Sequence, residues 1–193
     1  MATQICRSEF ILGGQKSGKS RRAETLARQW LDASPDHCAV LIATAQPWDG
    51  EMRERIARHQ RDRALRVPGM VTVEEPVQLA QAIHAHSRRD TLVVVDCLTL
   101  WLTNCLMPME HQQNTPVAPV KHAHTAMLLE AIDAAPGPLV LVGNEIGLGV
   151  IPMGAEVRAF VDALGRLNQD VAQRCQRVTL MAAGLPLTLK DAA

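Results

Sequence analysis

Eight residues near the amino end of the chain, Gly13 to Ser20, read GGQKSGKS and match the G-x-x-x-x-G-K-[ST] pattern of a phosphate-binding loop. The pattern lies between an apolar run that predicts a buried strand and a stretch that predicts a helix, as the loop requires. Glycines let backbone N–H groups point at an anion, and the helix adds the positive end of its dipole. We therefore expect the whole loop to hold a triphosphate, through Gly13, Gly14, Gln15, Lys16, Ser17, Gly18, Lys19 and Ser20.

Two residues of this loop, and one acid further along, are candidates for the chemistry. Lys19 is expected to neutralise the β- and γ-phosphates, which makes it a candidate catalytic residue, and the Ser20 hydroxyl is expected to reach Mg²⁺. The run LVVVDC places Asp96 directly after four apolar residues, where a second metal-side carboxylate normally stands. An acid in a solvated turn has the same pattern, but next to a phosphate loop it favours a Mg²⁺ site formed by Ser20 and Asp96. These motifs do not distinguish a kinase from a switch or a motor.

Short apolar runs alternate with longer amphipathic stretches along the chain. Strand–helix alternation with near-continuous apolar strands predicts an α/β fold whose mostly parallel sheet is covered by helices on both faces. The last run is an edge strand that forms a C-terminal hairpin, and residues 1–193 are expected to form a single domain. The predicted strands are Phe10–Leu12, Ala39–Ala43, Val71–Val73, Leu92–Val95, Leu139–Val142, Val178–Ala182 and Leu187–Leu189. The predicted helices are Lys19–Ala33, Gly50–Arg61, Pro76–Ser87, Cys97 to a residue before Pro108, Pro119–Ala134 and Ala155–Cys175.

Charge and composition narrow the class of protein. The formal net charge is zero, which argues against a general nucleic-acid binder. No apolar run approaches the roughly 20 residues of a membrane span, and the amino end lacks the apolar core of a signal peptide. Five scattered cysteines without metal-ligand spacing indicate reduced thiols and a cytoplasmic protein, with Cys97 and Cys105 as core residues. The segment Met107–Val117 is expected to be a mobile loop.

A histidine lies among arginines after the second predicted strand. On a helix, Glu51, Arg55 and His59 are spaced i, i+4, i+8 and share one face. Neighbouring cations favour the neutral imidazole, which is able to attack phosphorus while arginines hold the phosphate oxygens. A solvated helix with i,i+4 salt bridges explains the same spacing, and spacing alone favours that interpretation.

The stretch VGNEIGLGVIP, from Val142 to Pro152, leaves the carboxyl end of a predicted strand. Ligands bind at this end in open α/β sheets. Its polar and glycine residues are suited to contact a ligand closely, although a flexible connection is an equal alternative; they are Gly143, Asn144, Glu145, Gly147 and Gly149.

Taken together and in this order, seven motifs resemble one family over about Phe10 to Lys190. They are LGGQKSGKS, IATAQPWDGEMRERIARHQ, VTVEEP, VVDCLTLWLTN, NEIGLGVIP, GRLNQ and AAGLPLTLK. The family is that of the bifunctional adenosylcobinamide kinases/adenosylcobinamide-phosphate guanylyltransferases of cobalamin biosynthesis. The resemblance implies a RecA-like P-loop fold and two reactions. ATP or GTP phosphorylates adenosylcobinamide, and GTP then donates GMP, through a GMP-histidine, to adenosylcobinamide phosphate, which yields adenosylcobinamide-GDP and pyrophosphate.

The resemblance also implies roles for individual residues. His59 takes the place of the guanylylated histidine, because it is the histidine on the helix after the second strand. Glu74 matches an acid that contacts the nucleotide, with Glu75 as the fallback, and Asp96 lies in the metal or nucleotide site. Further GTP contacts are implied for Ala43, Thr44, Ala45, Gln60, Arg61, Asp62 and Arg63. The family's known members are homotrimers, and the corrinoid is a small-molecule partner.

Some positions depart from the family pattern. Met153 and Gly154 stand where the family tends to have Glu-Asn, and Arg158 is followed by Ala159 where an arginine pair is usual. These changes affect contacts to the corrinoid or between subunits, and they leave the phosphate loop and His59 intact. Two other functions remain open on the residues alone: a P-loop small-molecule kinase without a covalent step, and a nucleotide-sensing binding module.

Overall fold

Seven strands form one sheet in the computed structural model, which describes residues 5–107 and 117–192. The spatial order of the strands is β3-β2-β4-β5-β1-β6-β7, and all neighbours are parallel except β6 and β7. This confirms the predicted mostly parallel sheet with a C-terminal hairpin at its edge. The strands are β1 Ser8–Gly13, β2 Cys38–Ala43, β3 Val71–Glu74, β4 Thr91–Asp96, β5 Leu139–Val142, β6 Arg177–Ala182 and β7 Leu185–Asp191.

Six helices in the described part of the chain connect these strands. They are α1 Lys19–Ala33, α2 Gly50–Arg66, α3 Leu79–His86, α4 Leu98–Leu106, α5 Val117–Ala134 and α6 Ala155–Arg174. Asp49 caps α2, since its carboxylate accepts a hydrogen bond of 2.7 Å from the Met52 N–H. No helix among the described residues is long and apolar enough to cross a membrane. The predicted mobile loop falls mainly on residues 108–116, which lie outside the described residues.

The start of α3 differs from the prediction. Pro76 does not lie in the first turn, because the helix begins at Leu79. The Glu75 carboxylate instead accepts hydrogen bonds from the N–H groups of Val77 and Gln78, at 2.9 and 2.7 Å. The Glu75 side chain therefore closes the turn before α3, whereas the sequence had indicated that Pro76 begins the helix.

Two apolar layers lie on the two faces of the sheet. Along β4, Val93 and Val95 point into one layer and Leu92 and Val94 into the other, because side chains alternate along a strand. Helices α3 to α6 cover the first face, which includes Trp101, and α1 with the end of α2 covers the second. The strands are apolar on both sides for this reason.

The prediction that two cysteines are core residues is confirmed. Cys97 is buried, and Cys105 packs against the layer beneath α3 to α6. Burial, and then the charge of Asp96, raises the pKa of the Cys97 thiol to about 11. This thiol is therefore protonated at neutral pH and is a poor nucleophile.

A buried acid joins β1 to its neighbours. Glu9 is 2% exposed, and its carboxylate accepts hydrogen bonds from Arg22 Nε and from the Thr179 hydroxyl, both at 2.8 Å. Arg22 lies on α1 and Thr179 on β6, so the carboxylate fixes the helix that follows the phosphate loop to two central strands.

We predict that Glu9→Gln lowers the free energy of unfolding by about 3 kcal/mol, because it leaves the largely buried Arg22 without an opposite charge. The matched control is Asp32→Asn, which breaks an exposed pair with Arg28 and is expected to cost at most about 1 kcal/mol. Urea unfolding of both variants measures the difference. Equal small effects in the two variants would show that the Glu9 contacts do not stabilise the fold.

Candidate nucleotide and histidine site

The phosphate loop joins β1 to α1 at the carboxyl edge of the sheet. Gly13 has a φ of +150°, and a Cβ there would lie 2.5 Å from the Met181 carbonyl oxygen and 2.6 Å from Ser17 Oγ. Gly18 has a φ of +102° and caps α1. Both positions therefore require glycine, for close approach at Gly13 and for the left-handed backbone at both.

Hydrogen bonds from both sides hold this loop in place. The Gly184 N–H, in the turn between β6 and β7, donates to the Ser17 carbonyl at 3.0 Å. On the other side, the Glu145 N–H just after β5 donates to the Gly13 carbonyl at 3.1 Å. The loop is thus shaped by the two strands next to β1 as well as by its own glycines.

Lys19 is the buried cation of the loop. It is 8% exposed, and Nζ donates to the Gly14 carbonyl at 2.6 Å. Burial lowers the pKa of this ammonium, the negative charge of Asp96 opposes the shift, and the Arg55 guanidinium adds to it. The charges that act on the pKa of the loop lysine thus come from Cys97 and the predicted site residue Asp96, and from Arg55 on the helix that carries His59. The other loop side chains range from buried to exposed, with Gln15 and Lys16 exposed, Ser20 half-buried and Ser17 buried.

The end of β2 is tied to the end of β4 through Thr44. Thr44 is fully buried, and its hydroxyl donates to the Cys97 carbonyl and accepts from the Cys97 N–H, both at 2.8 Å. Its N–H donates to the Asp96 carbonyl at 3.1 Å. Thr44 therefore holds the chain at Asp96 and Cys97, with its backbone N–H on Asp96 and its hydroxyl on Cys97. Its half-buried neighbours Ala43 and Ala45 lie beside it at the same edge.

Helix α2 carries His59 and, one turn later, a buried arginine. His59 is half-buried and lies four residues before Arg63, which is 8% exposed. Burial lowers the pKa of Arg63, and Asp96 is the first of the charges that oppose this shift. Arg55, one turn before His59, acts on Lys19. His59 therefore lies between two arginines that both belong to the electrostatic surroundings of the phosphate loop and Asp96.

The residues predicted to contact GTP after His59 point in different directions. Four consecutive residues span a whole turn of a helix, so they do not share a face. Gln60 Nε2 donates to Glu74 Oε1 at 3.3 Å, and Arg63 Nη1 donates to Thr72 Oγ1 at 3.1 Å. Asp62 pairs with Arg66 at 3.4 Å, and Arg61 is exposed. Gln60 and Arg63 face β3, so they are better placed for a ligand at this edge than Arg61.

The structure distinguishes the two candidate acids of VTVEEP. Glu75 is occupied at the start of α3, where it accepts two backbone hydrogen bonds. Glu74 is exposed and touches Gln60 across the gap between β3 and α2. The geometry thus favours Glu74 over Glu75 as the acid available to a ligand.

Two buried asparagines support the site, and the sequence analysis assigned them no role. Asn104 on α4 donates to the carbonyls of Thr44 and Pro76, at 2.8 and 3.0 Å. Asn168 on α6 donates to the Asn144 carbonyl at 3.1 Å and to Glu145 Oε2 at 3.4 Å. Each lies among the buried apolar residues of its helix. A polar residue within an apolar stripe is the sequence signal from which their role could have been predicted.

Several buried polar atoms around this edge have no hydrogen-bond partner within residues 5–107 and 117–192. Such atoms are costly unless a ligand or water satisfies them. Ser17 and Arg63 belong to segments predicted to contact the nucleotide, and the other three residues lie in or against the segments that follow β2 and β5. They are Ser17 Oγ, Gln46 Oε1, Arg63 Nε, Asn104 Oδ1 and Asn168 Oδ1.

The donor set suits Mg²⁺ that arrives with a triphosphate. Magnesium in phosphate-transfer sites takes one or two protein ligands together with phosphate oxygens and water. The Ser20 hydroxyl at the start of α1 and the Asp96 carboxylate are ligands of that kind. Among the described residues, no group of three or more His, Cys, Asp or Glu side chains is placed to hold a metal ion.

Comparison with known proteins agrees with the motifs. Residues 9–189 match the family CobU, described as cobinamide kinase / cobinamide phosphate guanyltransferase. The chain belongs to this family. It is 44% identical over 182 residues to the bifunctional adenosylcobalamin biosynthesis protein CobP of Pseudomonas aeruginosa, covering 94% of this chain and 96% of that protein.

More distant relatives have a matching description. The chain is 33% identical over 188 residues to the bifunctional adenosylcobalamin biosynthesis protein CobU of Escherichia coli K12. It is 31% identical over 191 residues to the protein of the same description from Salmonella typhimurium. Each alignment covers 94% of this chain and 98% of the relative. The family expected from the motifs is thus confirmed, over nearly the full length of both proteins.

We predict that Thr44→Val lowers the free energy of unfolding by about 1–3 kcal/mol, because it leaves the buried N–H and carbonyl of Cys97 without the hydroxyl. It should also slow Mg²⁺-dependent turnover, since the backbone of Cys97, directly after Asp96, loses the hydroxyl that holds it. Thr44→Ser keeps the hydroxyl and should retain most of both properties. Urea unfolding and steady-state rates measure the two effects, and equal behaviour of the two variants would contradict this role.

Proposed function

We propose that this chain catalyses both reactions of its family: phosphorylation of adenosylcobinamide by ATP or GTP, and transfer of GMP from GTP to adenosylcobinamide phosphate. The observation on which this proposal mainly rests is geometric. The loop after β1 and Asp96 at the end of β4 lie at the carboxyl edge of one parallel sheet. Glu74 ends β3 at the same edge and contacts Gln60 on α2, the helix of His59. This arrangement supports one site for the phosphate-binding and histidine-bearing elements, as a nucleotidyl transfer needs.

For the kinase step, we propose that the loop backbone from Gly13 to Gly18 binds the phosphate oxygens and positions the γ-phosphoryl group. The Lys19 ammonium leaves the Gly14 carbonyl and donates to the β- and γ-phosphates, where it offsets the developing charge. Ser20 and Asp96 would hold Mg²⁺, which would supply charge neutralisation for the phosphates. The corrinoid hydroxyl oxygen forms the new P–O bond as the bond from the γ-phosphorus to the β-phosphate oxygen breaks, and the hydroxyl proton passes to solvent.

For the transferase step, we propose that a neutral nitrogen of His59 attacks the α-phosphorus of GTP. A P–N bond forms, the bond to the β-phosphate oxygen breaks, and pyrophosphate leaves. The imidazole then loses its remaining N–H proton to solvent. A phosphate oxygen of adenosylcobinamide phosphate next attacks the same phosphorus. The P–N bond breaks as the leaving imidazole takes a proton back from solvent, which regenerates neutral His59. Two displacements replace one difficult transfer between anions.

Arginines support His59 in this step. We propose that Arg63 donates to the phosphate oxygens through its unpaired Nε, and that Arg55 contributes from the preceding turn. We also propose that Glu74 and Gln60, which touch each other, contact the guanosine. The remaining nucleotide contacts proposed for the family's motifs are Ala43, Thr44, Ala45, Arg61 and Asp62, where Thr44 acts through its backbone because its hydroxyl is occupied.

We propose that the protein works in the cytoplasm as a homotrimer. An edge strand with exposed apolar residues supports self-association: Leu185, Leu187 and Leu189 on β7 are 71, 57 and 56% exposed. In the described residues β7 pairs with β6 on one side only, so its other edge is free for hydrogen bonding to another chain.

His59→Ala is expected to abolish the mass gain of one GMP that the protein shows after incubation with GTP and Mg²⁺, because no other group at the site replaces the imidazole. Kinase activity should persist in part. Intact-protein mass spectrometry measures the label, and the exposed His84→Ala on α3 is the matched control, which should label fully. A label that persists in His59→Ala would place the nucleophile elsewhere, and an unlabelled wild-type protein would favour the kinase without a covalent step.

Lys19→Ala is expected to slow both reactions by about 10²-fold or more, because one phosphate loop serves both and loses its charged donor. Lys190→Ala, which removes a lysine that contacts the end of α6, is the control and should leave both rates near the wild-type value. The measurement compares the two initial rates in each variant. Normal labelling of His59 with a lost kinase rate would contradict the single loop and indicate two nucleotide sites.

A further inference from the structure

The loop between β5 and α6, residues 143–154, presents an unusual number of exposed apolar side chains. Large apolar patches on a soluble protein surface usually mark a binding site. Five such side chains occur within eight residues, with exposed fractions of 41% for Ile146, 82% for Leu148, 97% for Val150, 78% for Ile151 and 97% for Met153.

Polar contacts at both ends hold this loop. At its start, the Glu145 carboxylate accepts from the Gly147 N–H at 2.7 Å, and Asn168 donates to the Asn144 carbonyl. At its end, Arg158 Nη1 donates to the carbonyls of Pro152 and Met153. The apolar side chains therefore extend from a loop that the protein fixes at its base.

The base of the loop adjoins the phosphate site. The Glu145 N–H donates to the Gly13 carbonyl of the phosphate loop. The Asn144 N–H donates to the Thr99 hydroxyl at 2.9 Å, and Thr99 lies three residues after Asp96. The loop leaves β5, which lies between β1 and β4, at the edge where both Lys19 and Asp96 stand. A molecule seated on the loop is thus next to the phosphoryl group that is transferred.

The composition of the loop indicates the chemistry of the ligand that it could bind. From Ile146 to Gly154 the sequence IGLGVIPMG has no charged side chain and no side-chain hydrogen-bond donor. It offers apolar contacts together with backbone N–H and carbonyl groups. A corrin ring has the matching chemistry, because it is a broad macrocycle with apolar surface and a fringe of amide groups.

We propose that residues 146–153 form the platform on which the corrinoid docks, with its ring on the apolar side chains and its hydroxyl-bearing arm directed toward the phosphate loop. This inference rests on the proposed function and names where its acceptor substrate binds. Met153 is 97% exposed, and with Gly154 it continues the uncharged stretch up to the start of α6.

A second copy of the chain is the competing occupant of this loop. The edge strand β7 suits that role better, since it combines exposed leucines with a free hydrogen-bonding edge in the described structure. The β5–α6 loop has no strand to extend, and it adjoins the phosphate loop. The observations therefore favour the small-molecule acceptor here.

The test uses the full chain with the double substitution Val150→Ser/Ile151→Ser. Kinase assays with adenosylcobinamide are expected to show a KM for the corrinoid at least about tenfold higher, because two apolar contacts are lost. The KM for the triphosphate, the guanylylation of His59 by GTP and the oligomeric mass should stay unchanged. Both side chains are largely exposed, so the variant should fold normally, and its unfolding midpoint checks this.

Two control variants sharpen the result. Leu65→Ser/Val71→Ser removes two exposed apolar side chains, 82 and 58% exposed, from α2 and β3 and should leave the corrinoid KM unchanged. Val150→Ile/Ile151→Val keeps the apolar surface and should keep wild-type affinity.

Three outcomes would overturn the inference: an unchanged corrinoid KM in the serine variant, an equal rise of both KM values, or a loss of oligomeric mass. The last would assign the loop to contacts between copies. The proposed function is judged separately by the wild-type protein, which must form GMP-histidine and pass GMP to the corrinoid phosphate. Success there with an unaffected loop variant rejects the docking platform alone.

Discussion

The charge of Asp96 at the carboxyl end of β4 is the interaction on which the site depends. It opposes the effect of burial on two cations, Lys19 from the phosphate loop and Arg63 from α2. Buried cations are unfavourable without an opposite charge nearby, so this carboxylate helps to keep both in place. Through it, the loop with the phosphate-binding pattern and the helix that carries His59 belong to one electrostatic unit, although 39 positions separate residues 20 and 59.

The polar groups behind this unit fix the loops of the site. Thr44 joins the ends of β2 and β4, Asn104 holds the segments after β2 and β3, and Asn168 holds the segment after β5. These side chains are buried, where hydrogen bonds are strong and unpaired groups are costly. Some buried polar atoms, such as Ser17 Oγ and Arg63 Nε, have no hydrogen-bond partner among the described residues. Rigid support around unsatisfied polar atoms is typical of a preorganised binding site.

Much of the fold follows from periodicity alone. The predicted strands and helices match the observed ones within a few residues, because a strand buried on both faces is apolar throughout and an amphipathic helix repeats every 3.6 residues. The glycine-rich loop between β1 and α1 was also predictable from the sequence, since its motif occupies consecutive residues, Gly13 to Ser20. Two local errors had local causes. Pro76 resembled a helix start, and α2 continued past Arg61 to Arg66, because Val67 and Arg66 gain contacts with the core and with Glu24.

The sequence by itself determined the class of fold, the glycine-rich loop between β1 and α1 and the family, because each is encoded in consecutive residues or in regular spacing. Only the tertiary structure decided which side chains of each motif face the site. In the folded chain the Glu75 carboxylate is hydrogen-bonded at the start of α3, whereas Glu74 is exposed and contacts Gln60. The Thr44 hydroxyl is buried against Cys97, and Arg63 faces β3. The partners of a polar group depend on which strands become neighbours and in which register, and residues distant in sequence set both.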